Sequence, residues 1–135
     1  MATKLAIINI IAADVPKTLA FYRRLGLDIP ASADSMDHVE IPVAPGLVMA
    51  FDTEGVYQAF DADWRGPAPR THERQSLMFR SDTPAEVDAL HAALLETGGT
   101  PRRPLQDAPW GERYASVLDP DGLEITLVAP LPTTS

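Results

Sequence analysis

The sequence predicts an α+β domain built from two copies of one unit, in which a strand and a helix are followed by further strands. Two repeated patterns predict it. The helix start Asp-x-Pro at 14–16 recurs at 82–84, and the turn pair Gly-Leu at 46–47 recurs at 122–123. One such unit cannot bury its sheet face alone. The two halves are therefore expected to pair within a single domain covering residues 1–135.

The first module is predicted over about residues 3–53. Its opening run is short and β-rich, so a strand is expected there. Asp14 then provides an N-cap, Pro16 occupies the first helical turn, and Gly26 ends a helix predicted over 15–25. The predicted strands of this module are 5–12, 36–43 and 47–52.

The second module is predicted over about residues 75–130, after a linker at about 54–74 that begins with a short helix near 54–60. The capping pattern Thr-Pro-Ala-Glu at 83–86 starts its helix, and two glycines at 98–99 stop it. The Asp-Pro-Asp-Gly run at 119–122 is a strong hairpin turn. The predicted strands of this module are 75–81, 112–118 and 123–129.

Net charge and composition limit the classes of molecule that the protein is expected to bind. Eleven Lys and Arg against nineteen Asp and Glu give a net charge of −8, which argues against binding nucleic acid or docking on anionic membranes. The chain has no cysteine, which excludes disulfides, thiolate catalysis and Cys-ligated zinc and fits a cytoplasmic location. We expect no membrane span and no signal peptide, and a small molecule as the partner.

The chain resembles the vicinal oxygen chelate superfamily of glyoxalases, bleomycin-resistance proteins and extradiol dioxygenases. The match is carried by Asp14, the FYRRLGL run at 21–27, Phe79 and the turn at 119–122, while the WGERY run at 110–114 resembles a glyoxalase-like branch. The likeness covers nearly the whole chain. It implies two pseudo-symmetric βαβββ modules that form a cup-shaped mixed sheet with the helices outside, in a homodimer.

The resemblance also implies where a metal would bind. In the enzymes of this superfamily, His and Glu side chains from four equivalent strand positions hold a divalent metal in the cup. Those positions map here to Ile7, Ala50, Ser76 and Thr126. Ile and Ala offer no ligand atom, and Ser and Thr offer only weak neutral hydroxyls. We therefore expect no metal, no cofactor and no metal-dependent glyoxalase or dioxygenase activity.

His38 and Glu40 leave one alternative metal site open. Residues two apart on a strand share a face, so this pair could supply two ligands. A metal site needs at least one more ligand, and a polar strand edge is the simpler interpretation.

Strand alternation extends the mapped positions into a candidate binding surface. Apolar walls with a few directed polar groups are typical of a small-molecule pocket, and Trp64 and Trp110 are expected on rim loops, where they could stack on a planar ligand. The expected ligand-binding residues are Ile7, Asn9, Val48, Ala50, Asp52, Trp64, Ser76, Met78, Trp110, Tyr114 and Thr126.

The function predicted from these features is metal-free binding of a small, partly aromatic molecule, such as an antibiotic or another natural product, which would confer resistance. The alternative is a metal-independent isomerase, lyase or cyclase. Its general base would be Asp52 or Glu124, and its electrostatic partner Arg80 or Tyr114. Arg80 could equally form an ion pair with one of those carboxylates.

Overall fold

The computed structural model describes residues 2–64, 66 and 74–133. In these residues the chain is a mixed α+β structure with two sheets, so the predicted fold class is confirmed. The chain divides into two compact units, unit one (Met1–Pro69) and unit two (Arg70–Ser135). No helix among the described residues is long and apolar enough to cross a lipid bilayer.

Unit one runs strand, helix, strand, strand, with a 3-10 turn (Ala31–Ser35) after its first helix. Its elements are β1 (Ile7–Ala12), α1 (Val15–Leu25), β2 (His38–Ala44), β3 (Leu47–Thr53) and α2 (Glu54–Phe60). The sheet order is β1-β3-β2, with β1 parallel and β2 antiparallel to β3. After α1 the described residues of this unit form the 3-10 turn and then two strands. The expected βαβββ pattern has three strands after its helix, so one strand of the pattern is not formed among these residues.

Local signals set the ends of α1 where the sequence predicts them. The side chain of Asp14 accepts a hydrogen bond of 3.1 Å from the backbone N–H of Lys17, which satisfies one of the free donors of the first turn. At the other end Gly26 adopts φ 114°, and its N–H bonds to the carbonyl of Arg23. The predicted helix over 15–25 is confirmed.

The core of unit one lies on the sheet face that α1 covers. Phe21 and Tyr22 of the helix and Phe51 of β3 are fully buried, and the rings of Tyr22 and Phe51 lie 5.2 Å apart. Ile10 of β1 is buried on the same face, while its neighbours Ile7 and Asn9 are exposed. The alternation predicted for β1 is therefore present, and the other sheet face carries both apolar and polar side chains.

Unit two has the full strand, helix and three-strand order. Its elements are β4 (Ser76–Arg80), α3 (Pro84–Glu96), β5 (Thr100–Ala108), β6 (Glu112–Leu118) and β7 (Glu124–Pro130). The sheet order is β4-β7-β6-β5, with β4 parallel to β7 and the other pairs antiparallel. The predicted strands do not include β5, which contains Pro101 and Pro104. β5 tolerates them because it is an edge strand.

Helix α3 packs against β6 and β7. Thr83 caps its start by accepting from the N–H of Glu86, and its hydroxyl donates to the carboxylate of Glu86 at 3.1 Å. Val87 and Leu94 of the helix are fully buried, as are Ile125 and Leu127 of β7. The other face of this sheet carries the polar and aromatic candidates.

We predict that alanine substitutions at two glycines affect stability differently. Gly26→Ala should lower the free energy of unfolding by about 1 kcal/mol, because φ 114° strains any residue with a Cβ although nothing lies within 4 Å of it. Gly55→Ala, in the first turn of α2, should be neutral or stabilising, because its backbone is helical. Urea unfolding of both variants checks this, and equal changes would contradict it.

A second stability prediction concerns Asp119, which is 2% exposed. One of its carboxylate oxygens accepts the backbone N–H groups of Asp121 and Leu123 at 2.8 and 2.9 Å and so fixes the turn between β6 and β7. Asp119→Ala should destabilise the protein by about 1–3 kcal/mol, because both donors lose their acceptor. Asp119→Asn keeps an acceptor and should lose clearly less in the same urea unfolding measurement. A loss as large as that of the alanine variant would refute the role of this oxygen.

Candidate functional site

A cluster of four polar side chains occupies the sheet face of unit one that lies opposite α1. The strand register pairs Asn9 with Ala50 and His38 with Asp52, while Glu40 lies opposite Ala50 on the other side. These positions share one face because strand side chains alternate. We call Asn9, His38, Glu40 and Asp52 the His38 cluster.

Asp52 is the buried member of the cluster, with only 5% of its surface exposed. Its Oδ2 accepts a hydrogen bond from the Asn9 amide at 3.0 Å, and its Oδ1 contacts Nδ1 of His38. The other ring nitrogen, Nε2, lies 2.9 Å from Oε2 of Glu40. One imidazole therefore bridges two carboxylates, one buried and one exposed.

This arrangement changes the acidity of the imidazole. The hydrogen bond to Glu40, followed by that to Asp52, raises the pKa of His38 above its ordinary value of 6.5, and burial opposes them only partly. The cause is direct: each carboxylate stabilises the imidazolium form. His38 thus carries its positive charge over a wider pH range than a free histidine does.

A second buried carboxylate lies in unit two. Glu124, at the start of β7, is 7% exposed, and its Oε2 accepts the hydroxyl of Ser116 at 2.8 Å. Nε of Arg103 on β5 lies 3.7 Å from the same oxygen. This carboxylate is therefore paired with Arg103, whereas the sequence suggested Arg80 as a partner.

Arg80 instead joins an exposed aromatic surface at the beginning of β6. Its guanidinium lies 3.6 Å from Glu112, and Glu112 also accepts the indole N–H of Trp110 at 2.8 Å. The Trp110 ring meets the Tyr114 ring edge-on, with centroids 5.7 Å apart and planes at 86°. Trp110 remains 64% exposed, so its indole is held in place and open to solvent.

The other tryptophan has a packing partner. Trp64 follows α2, and its ring lies 5.3 Å from that of Tyr57, which also contacts Phe60. The short helix predicted near 54–60 is confirmed, and it gathers these three aromatics together. Residues 65 and 67–73 of the predicted linker fall outside the described residues.

The predicted ligand-binding residues divide between the two units. Register places Ile7 beside Val48 and Asn9 beside Ala50 in unit one, and it places Met78 beside Thr126 in unit two. The exposed fraction of these residues differs widely, from 1% for Ala50 to 64% for Trp110. The remaining predicted residues are Asp52 and Trp64 in unit one, and Ser76, Trp110 and Tyr114 in unit two.

The side chains at the four mapped positions do not fit a metal. Ile7 and Ala50 carry no donor atom, and Ser76 and Thr126 carry only hydroxyls. In the part of the chain that the structure describes, no group of three or more His, Cys, Asp or Glu side chains could hold a metal ion. In the His38 cluster the reason is geometric, because the two ring nitrogens point to different carboxylates instead of converging with them on one point.

The sequence did not predict every member of the polar clusters around Asp52 and Glu124. The sequence placed His38 with Glu40, as a polar strand edge or as two ligands of an alternative metal site, and it did not predict the contact between His38 and Asp52. That contact depends on a register shift between Pro42 and Ala44. Arg103 was missed because its strand was not predicted. Ser116 could have been found from alternation, since it lies two residues beyond Tyr114 on the same face.

Comparison with solved structures shows the same fold. The chain resembles a glyoxalase/bleomycin resistance protein/dioxygenase family enzyme from Burkholderia phytofirmans PsJN, with a TM-score of 0.76 and 21% identity over 96% of this chain and 100% of that one. It also resembles a glyoxalase-related enzyme from Fulvimarina pelagi, with a TM-score of 0.74 and 22% identity over 95% and 88% of the two chains.

No curated protein matches the sequence. The family model described as Glyoxalase/Bleomycin resistance protein/Dioxygenase superfamily matches residues 4–127. That match covers most of the chain and agrees with the resemblance drawn from its motifs. The chain belongs to the glyoxalase/bleomycin resistance protein/dioxygenase superfamily.

Proposed function

We propose that this protein binds a small, partly aromatic molecule, such as an antibiotic or another natural product, through side chains alone and without a metal ion. The observation that carries the proposal is the exposed indole of Trp110, held between the Tyr114 ring and the Glu112 carboxylate. A group of adjacent exposed apolar side chains marks a contact surface more often than a single one does, and the Trp110 ring lies beside that of Tyr114.

The surface around Trp110 suits a flat ligand. Tyr114 lies on the sheet face opposite α3, because its neighbour Arg113 reaches Asp88 of that helix at 2.8 Å. Met78, which is 61% exposed, lies on the same face as Tyr114 through the pairing of both strands with β7. A polarisable thioether and two aromatic rings offer stacking and S–aromatic contacts to a planar molecule.

Charge further narrows the ligand class. Aromatic faces attract cations, and a protein with a net charge of −8 concentrates them near its surface. The exposed guanidinium of Arg80 partly neutralises Glu112, so neutral ligands are also accommodated. Because Glu112 already fixes the indole, binding costs less side-chain entropy than it would for a free tryptophan. The proposed ligand is therefore planar and either neutral or cationic.

The test is fluorescence titration with a panel of planar cationic, neutral and anionic drugs. The chain has two tryptophans, so Trp64→Phe leaves Trp110 as the reporter. Saturable quenching is expected in that variant with at least one cationic or neutral drug. Trp110→Ala should weaken binding of the same drug about tenfold by calorimetry, which corresponds to ~1.4 kcal/mol.

Phe60→Ala is the matched control, since Phe60 is also an exposed aromatic, at 72%, but belongs to unit one. Its affinity should equal that of the wild type. The drug should still bind when a metal chelator is added, and it should be recovered chemically unchanged. Loss of binding in the chelator, or equal losses in the Trp110 and Phe60 variants, would overturn the proposal.

A further inference from the structure

The His38 cluster of unit one has the parts of a proton-transfer site. A buried carboxylate, a half-exposed imidazole and an exposed carboxylate follow one another from the sheet outwards: Asp52, His38 and Glu40. In acid–base sites a carboxylate bonded to one imidazole nitrogen orients the ring so that the other nitrogen can exchange a proton. All of these residues belong to unit one.

Asp52 is placed to orient the ring and not to act as the base. Both of its oxygens are engaged, Oδ2 by the Asn9 amide and Oδ1 by Nδ1 of His38. Its side chain is only 7% exposed, so a molecule arriving from solvent does not reach it. The sequence suggested Asp52 as a general base, whereas these contacts favour its hydrogen-bonded neighbour His38 in that role.

His38 presents the reactive atom. Its side chain is 48% exposed, and Nε2 faces Glu40, whose side chain is 52% exposed. Exposed ion pairs such as the one between His38 and Glu40 contribute little free energy. The Glu40 side chain can therefore rotate away and leave Nε2 open to an incoming molecule. The two carboxylates around the ring disfavour anions, and this favours a neutral or cationic molecule.

We infer that His38 is a catalytic general acid–base, with Asp52 as its positioning residue, acting on a neutral or cationic molecule that carries an acidic C–H bond. The inference concerns unit one and stands independently of the function proposed for the Trp110 surface. Failure of the drug titration therefore leaves it intact, and its own failure leaves that function intact.

The pH dependence follows from the groups that face the ring. Glu40 on its own strand and Asp52 on β3 are the charged groups that act on His38, and β1 contributes the uncharged Asn9. They raise the pKa of His38 above 6.5 by stabilising the imidazolium form. Only the neutral ring accepts a proton, so base catalysis should rise with pH through this raised pKa and then level off.

The test uses 5-nitrobenzisoxazole, a neutral planar molecule that a base opens without a metal. Neutral Nε2 of His38 takes the carbon-bound proton, the C–H electron pair completes the nitrile triple bond, and the N–O bond breaks. The N–O electrons leave on oxygen as a nitrophenolate, whose visible absorbance gives the rate. The imidazolium then returns its proton to water.

His38→Gln should lower the protein-promoted rate at least about tenfold, since a positioned acid–base group contributes that much or more. His91→Gln is the matched control, because it replaces a histidine on α3 of unit two, and it should leave the rate unchanged. A wild-type rate no higher than that of His38→Gln would overturn the inference, as would an equal loss in His91→Gln.

The pH profile distinguishes proton transfer from a structural role and does not need the His38 variant to fold. Glu40→Gln removes the largest cause of the raised pKa, so its profile should move to lower pH with a similar plateau. Asp52→Asn should move the profile in the same direction and lower the plateau, because the ring loses its anchoring carboxylate. Circular dichroism verifies folding. An unmoved profile in folded Glu40→Gln contradicts the inference.

Discussion

The structure depends on one strand in the middle of each sheet that is buried on both faces. β3 and β7 each turn apolar side chains such as Phe51 and Leu127 towards a helix. Their opposite faces are buried too, yet they hold Asp52 and Glu124. Burying a carboxylate without partners is costly, so the neighbouring strands must supply donors. The polar clusters follow directly from this requirement.

Each unit meets the requirement with different residues. In unit one an amide and an imidazole bind the carboxylate, whereas in unit two a hydroxyl and a guanidinium do so. Among the described residues no buried side-chain nitrogen or oxygen lacks a partner. Of these donors the imidazole is the one whose pKa the surrounding carboxylates raise, because they stabilise its protonated form.

The positions that carry metal ligands in the resembled enzymes lie next to these clusters. Asp52 is two residues beyond Ala50, and Glu124 is two residues before Thr126, on the same strand faces. On each central strand a buried carboxylate therefore lies one row away from the mapped position, in opposite directions along the two strands. In this chain the side chains on these faces make hydrogen bonds and aromatic contacts.

The sequence alone determined what local rules govern. Caps at Asp14 and Thr83, the glycine turns and strand alternation predicted α1, α3, most strands and the assignment of faces, because each depends on neighbours within a few residues. Only the tertiary structure decided the pairings. An edge position lets β5 keep two prolines and brings Arg103 to Glu124. The bulge at Val43 shifts the pairing of β2 with β3 by one residue. Without it His38 would pair with Thr53, and its side chain would lie on the opposite side of the sheet from that of Asp52.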